Sequence, residues 1–240
     1  MAKKQTKKQA TKQRKISGLI TVALPNSAVS EQFKTLRTNI QFSMVDKKLK
    51  SLVVISATPY AGKSTVAVNL AVTFALQGNR VLIVDCDLRR PTVHRNFKLS
   101  NGFGLTTLLT DSTGSIDDYM NDSGVEGLSV LTGGPVPPNP AELLSSNRMQ
   151  QLEKEMADRF DLVIYDTPPL LGFTDAQILA GREDGTIFVI RHGVDTKEEV
   201  FKASESLKIV NANVLGVVYN HVPIRSNDHG YYYYGQHNED

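Results

Sequence analysis

The feature that most constrains this chain lies between Leu52 and Ala71. An unbroken apolar run, Leu52-Val53-Val54-Ile55, gives way to a short turn-forming segment, Ser56-Ala57-Thr58-Pro59-Tyr60-Ala61-Gly62, and Lys63-Ser64-Thr65 then opens a periodic, helix-compatible stretch. Strand, tight loop and helix with Gly-Lys-Ser at the junction is a phosphate-binding arrangement. Backbone N–H groups of the loop and the unpaired N–H groups of the first helical turn converge on a polyphosphate. Lys63 then reaches the outer phosphates and the Ser64 hydroxyl is placed to ligate Mg²⁺, while Pro59, Tyr60, Ala61, Gly62 and Thr65 complete the nucleotide loop. The full pattern has glycine five residues before Gly62, where this chain has Ala57. A chance Gly-Lys-Ser in a turn is the plain alternative, and the flanking strand and helix argue against it.

Strand and helix patterns alternate along the rest of the chain. Strands are predicted over 51–56, 80–85, 128–131, 161–166, 186–191 and 214–220. Helices are predicted from Glu31, capped by Ser30, to Met44, over 63–77, over 105–109, from Pro140, capped by Asn139, to Arg159, near 174–181 and over 195–210. On the first of these helices, Phe33, Leu36, Ile40 and Met44 share a face, with Glu31, Lys34 and Arg37 opposite. The alternation predicts one doubly wound α/β domain with a mostly parallel sheet and helices on both faces. Its bounds are 17–221, between a basic tail over 1–16 and a tail over 222–240 that lacks apolar periodicity.

In an open α/β sheet, ligands bind at the carboxyl ends of the strands. Asp85 and Asp87 follow the apolar run 81–84, and Asp166 follows 162–165. Three carboxylates beside a polyphosphate repel it unless a divalent cation bridges them. Each aspartate taken singly is equally well read as a turn cap; their joint placement at one edge is not. Arg89 and Arg90 put guanidinium charge near the same edge, suited to a phosphate or to an acidic neighbouring surface. Cys86, between two acids, reads as packing rather than as a nucleophile.

Composition narrows the setting. A single cysteine excludes an internal disulfide framework and fits a reducing cytoplasm, and no run approaches a membrane span or a secretory signal. The five histidines show no metal-ligand spacing. Residues 1–15 carry seven Lys/Arg and no acid, so the remainder is net acidic despite a formal charge of +2 overall. Such an arm solubilises the chain or contacts an anionic membrane surface; without interleaved aromatics it does not read as a nucleic-acid segment.

Three stretches together carry a family likeness. Ser56 to Ser64, then Val84-Asp85-Cys86-Asp87-Leu88-Arg89-Arg90-Pro91, then Tyr165-Asp166-Thr167-Pro168-Pro169 resemble the nucleotide motifs of the bacterial tyrosine kinases of capsular and exopolysaccharide systems. Gly134 to Leu143, Phe173-Thr174-Asp175-Ala176 and Leu215 to Asn220 are similar to that family as well, so the likeness spans roughly 27–235. It implies a MinD/ParA-like P-loop core that uses ATP and Mg²⁺. By motif match Lys63 and Ser64 hold ATP and Mg²⁺, Asp87 and Asp166 bind the metal, Asp85 is the base toward a tyrosine hydroxyl, and Asn220 lies near adenine. Which of Asp85 and Asp87 does which is left open by the sequence. Glu31, Lys34 and Arg37 match an oligomerisation motif that has arginine at the position of Lys34, which implies a homo-oligomer, with a ring as the expected form. Tyr231, Tyr232, Tyr233 and Tyr234 match a phosphoacceptor cluster. The likeness also implies a separate membrane activator of the polysaccharide co-polymerase type, recruiting a cytoplasmic kinase to the inner face of the membrane.

A second reading is a MinD- or ParA-like ATPase switch that phosphorylates nothing. Those proteins carry a signature lysine five residues before the loop lysine, where this chain has Thr58. Thr58 and the tyrosine cluster favour the kinase.

Overall fold

Alternation within each strand decides which side chains meet which layer of helices. In β1 (Ser51–Ser56), Val53 and Ile55 enter one core and Leu52 and Val54 the other; in β2 (Val81–Asp85), Leu82 and Val84 part from Val81 and Ile83 in the same way. Successive side chains of a strand face opposite sides, so an unbroken apolar run requires both faces to be covered. The computed structural model describes residues 19–44 and 48–223. The basic tail and the cluster Tyr231 to Tyr234 lie outside the described residues.

The sheet adds β3 (Asn121–Asp122), β4 (Leu128–Leu131), β5 (Leu162–Asp166), β6 (Gly185–Arg191) and β7 (Val214–Asn220), in the order β3-β4-β2-β5-β1-β6-β7. Every pairing is parallel except that of β3 with β4, and the two-residue β3 has no counterpart in the sequence reading. One face packs beneath α1 (Ile20–Ala23), α2 (Ala28–Ser43), α3 (Lys63–Ala75) and α4 (Val93–Phe97). The other packs beneath α5 (Leu105–Thr110), α6 (Ile116–Tyr119), α7 (Pro140–Ser145), α8 (Asn147–Arg159), α9 (Asp175–Ala180) and α10 (Lys197–Ile209). Residues 66–75 of α3 are all buried. The Thr21 backbone N–H and hydroxyl both donate to Asn69 Oδ1, at 3.1 and 2.9 Å, and this pins α1 over the outer side of α3.

Three local expectations are corrected. The cap of α2 is Ser27, whose extended backbone lets its hydroxyl accept from Ser30 N at 3.2 Å. Ser30 is instead buried inside the first turn and donates to the Leu24 carbonyl at 2.6 Å. The helix expected over 140–159 is two helices. Ser146, at φ −65° and ψ 155°, ends α7 and caps α8 by accepting from Met149 N at 3.2 Å. Serine side chains offer the backbone such alternatives to helix continuation. Asn139 places no side-chain cap on α7; its amide donates to Glu142 Oε2 at 2.6 Å. Among the described residues no helix is long and apolar enough to cross a membrane.

Candidate active site

The three central strands β2, β5 and β1 carry the acidic and phosphate-loop motifs to one edge. Register places Asp85 opposite Asp166 across β2 and β5, and Asp166 opposite Val54 across β5 and β1. Both carboxylates are wholly buried, and Asp87 is 6% exposed.

The loop itself is bent through two left-handed residues, Tyr60 at φ 63° and Gly62 at φ 88°. Gly62 is the residue before α3, and a Cβ there would lie 2.3 Å from the Asn220 amide nitrogen. The backbone angle calls for glycine, and a Cβ would in addition push the Asn220 amide out of its place. Asn220 donates to the Ala61 carbonyl at 2.9 Å, which brings the end of the last strand against the loop.

Lys63, the first residue of α3, reaches Asp87 Oδ2 at 3.2 Å and Asp166 Oδ1 at 3.9 Å. Burial pulls its pKa down, but Asp166, Asp87 and Asp85 outweigh that, and the net shift is upward. Asp85 is anchored differently. Its Oδ2 accepts from Thr92 N at 2.8 Å and Val93 N at 2.9 Å, and its Oδ1 from Asp87 N at 3.2 Å. Burial, together with the Asp166 charge, pushes the Asp85 carboxyl well up despite those donors. Asp166 is also raised, first by burial; Lys63 and the nearby Ser64 hydroxyl draw it back.

Both oxygens of Asp166 are buried without a hydrogen-bond partner of good geometry. An unsatisfied buried carboxylate is costly, and a hard cation with oxygen ligands removes that cost. Among the described residues no cluster of three metal-ligating side chains occurs. The buried, unpartnered oxygens of Asp166 nevertheless fit a magnesium ion, which Asp87, Asp166 and Ser64 would hold.

The structure brings together Pro59 to Thr65, Asp85, Asp87, Asp166 and Asn220 at one edge, and it adds residues that the sequence reading missed. The Thr92 hydroxyl donates to the Ser64 hydroxyl at 3.2 Å, and the Thr58 hydroxyl to Asp195 Oδ1. No sequence motif marks Thr92 or Asp195. Arg89 forms a two-pronged pair with buried Asp175, both distances 3.2 Å, and its guanidinium lies 4.2 Å from the centre of the Phe173 ring. Where a phosphate or an acidic neighbouring surface was expected, Arg89 holds an aspartate of its own chain and clamps the segment after β2 to that after β5. Arg90 does face outward and donates to the Tyr60 hydroxyl at 3.1 Å. Burial, with the Asp85 charge, pushes the Cys86 thiol well up.

The proposed oligomerisation residues lie away from this edge, on α2. Glu31 and Lys34 pair with each other at 2.6 Å. Arg37 turns inward and donates to the Thr73 carbonyl of α3 at 3.3 Å, so it does not share their outward face.

Fold and site define a MinD-like P-loop nucleotide-binding protein, and comparison with known proteins narrows the class. The AAA_31 model, described as an AAA domain, matches residues 49–192. Tyrosine-protein kinase YwqD of Bacillus subtilis (strain 168) is 46% identical over 215 residues, covering 89% of this chain and 90% of that protein. Putative tyrosine-protein kinase CapB of Staphylococcus aureus is 40% identical over 227 residues, covering 95% and 99%. Tyrosine-protein kinase etk of Escherichia coli (strain K12) is 37% identical, but the match covers 85% of this chain and only 28% of that longer protein. The crystal structure of the chimerical protein CapA2B2 superposes with a TM-score of 0.83 at 40% identity, covering 87% of this chain and 91% of that one. Septum site-determining protein MinD of Pyrococcus horikoshii OT3, complexed with Mg-ADP, gives 0.59 at 21% identity over 70% and 69%, a likeness of fold. This chain belongs to the bacterial tyrosine-protein kinases.

Proposed function

We propose that the chain transfers the terminal phosphoryl group of ATP to tyrosine, with its own residues Tyr231 to Tyr234 in a neighbouring subunit as one acceptor. The observation that carries this is the Lys63 ammonium set between Asp87 and Asp166 at the phosphate loop, with both Asp166 oxygens buried and no hydrogen bond of good geometry to either. Such a site offers a cation to the outer phosphates and hard oxygens to a metal. When bound, magnesium would supply charge neutralisation on the phosphates. The loop N–H groups and Lys63 orient the transferred group and stabilise the charge that builds on it.

Among the acids, Asp87 and Asp166 face Lys63 and suit metal binding, whereas Asp85 is held by three backbone N–H groups. Its raised proton affinity suits a base toward the tyrosine hydroxyl. Asn220 contributes at the base end of the nucleotide as well as at the loop.

The setting belongs to the same proposal: a cytoplasmic enzyme in polysaccharide synthesis and export, assembled as a homo-oligomer through the outward-facing Glu31 and Lys34 of α2, with Arg37 held against α3. A separate membrane activator recruits it to the inner face of the membrane, aided by attraction of the basic segment 1–16 to anionic lipid.

Incubation of the purified chain with Mg-ATP, followed by phosphotyrosine detection, tests the reaction. Signal is expected in the wild type and none in Lys63→Met or in the variant with Tyr231 to Tyr234 all changed to Phe. ATP hydrolysis without any phosphotyrosine, with and without a membrane activator's cytoplasmic segment, would instead support the ATPase-switch reading.

A further inference from the structure

The phosphate loop is fastened on the side away from its carboxylates by three residues from the ends of β6 and β7. The Thr58 hydroxyl donates to Asp195 Oδ1, and Asp195 Oδ2 accepts from the backbone N–H of Arg191 at 2.6 Å. The Arg191 guanidinium reaches the Tyr60 carbonyl at 3.5 Å, and the Asn220 amide the Ala61 carbonyl at 2.9 Å. Arg191 and Asn220 are paired across β6 and β7, so these tethers share one rigid base.

A trans peptide unit is planar, with its C=O and the following N–H pointing opposite ways. Holding the Tyr60 carbonyl toward Arg191 therefore turns the Ala61 N–H the other way. Holding the Ala61 carbonyl toward Asn220 does the same for the Gly62 N–H. Those are donors a phosphate cradle needs. Tyr60 in the left-handed region does not keep this bend at no cost, which gives the tethers work to do. A carboxylate this close to an anion-binding loop disfavours the anion by charge alone. Asp195 is held by the Arg191 N–H and spent on the Thr58 hydroxyl, and that points to a mechanical rather than an electrostatic use.

We infer that Asp195 is a positioning residue for phosphate binding, acting through Thr58 to keep the loop in the bend that presents its N–H groups. The inference rests on the nucleotide-loop reading above and deepens it. It predicts that the loop's grip on phosphate depends on a hydroxyl at 58 and a carboxylate at 195 that act as one unit.

The test is calorimetric titration of the full chain with Mg-pyrophosphate, which has phosphates but no base, and with Mg-ADP. Thr58→Val removes only the hydroxyl, Thr58→Ser keeps it, and Asp195→Asn removes the charge. Thr58→Val and Asp195→Asn are each expected to weaken pyrophosphate on the order of ten-fold, the size of one hydrogen bond to a charged group. The double variant should be no weaker than the worse single one, Thr58→Ser should stay near wild type, and melting temperatures should stay close to wild type. Unchanged pyrophosphate affinity in the single variants, or losses that multiply in the double, would overturn the role of Asp195 and leave the nucleotide site standing. A wild type that binds neither Mg-pyrophosphate nor Mg-ADP would instead overturn the site and this inference with it.

Discussion

Lys63→Met should damage the fold as well as the chemistry, and the size of the damage follows from burial. The lysine side chain is 12% exposed, and its partners Asp87 and Asp166 are 8% and 0% exposed. Removing one partner of a buried pair costs about 3–5 kcal/mol, because the other charges remain desolvated and uncompensated. For a domain of this size each kcal/mol moves the melting temperature by about 2–4 °C, so a fall of roughly 6–20 °C is expected. The sign with pH is fixed by direction. The folded pKa of Lys63 lies above its usual 10.5, so its stabilisation is complete at neutral pH and fades only in strong alkali. The variant's orphaned acids can escape by protonation, for which Asp85 and Asp166 are already predisposed by burial. The deficit should therefore be smaller in acidic than in alkaline buffer, and Mg²⁺ should recover part of it in the alkaline one. Asp166→Asn is the control: it removes a buried carboxylate and leaves the Lys63–Asp87 pair, so it should melt at or above the wild-type temperature. Thermal unfolding by circular dichroism across those samples decides the matter. If Lys63→Met melts with the wild type at both pH values, the three carboxylates do not depend on that lysine and the electrostatic account of the site is wrong.

Gly62→Ala should lose about 1–2 kcal/mol to a left-handed alanine and should displace Asn220 from the Ala61 carbonyl, read as lower melting and weaker Mg-pyrophosphate binding together. Burial, then the charge of Glu153, pushes Glu183 from 4.5 up to about 8, so the folded chain holds a proton that the unfolded one releases. Stability should fall as pH rises through that window, and denaturant titrations of Glu183→Gln should show a flatter profile. Arg89→Ala strands buried Asp175 and should destabilise far more than Arg90→Ala, whose contact with the Tyr60 hydroxyl is exposed; equal melting temperatures would count against the clamp. Each phosphate on the tail adds about −1.5 to −2 charge, so light scattering should find the phosphorylated chain smaller than the variant with Tyr231 to Tyr234 changed to Phe.

The parallel α/β sheet and the edge that carries the site were legible in the chain itself. Apolar runs such as 81–84 and 162–165 can be buried only as strands covered on both faces, and each ends in an aspartate. Gly62-Lys63-Ser64 between a strand and a helix is a local signal, because its parts are neighbours in sequence. Helix ends were less legible: Ser27, Ser30 and Ser146 are equally good caps by composition, and only backbone angles set by packing choose among them. What the tertiary structure alone decided is which distant groups meet. The turn of Arg37 onto Thr73, the Arg89–Asp175 pair and the Thr58–Asp195 contact join residues 36, 86 and 137 positions apart. No periodicity or motif encodes such pairs, because strand order places their partners side by side only after the sheet has closed.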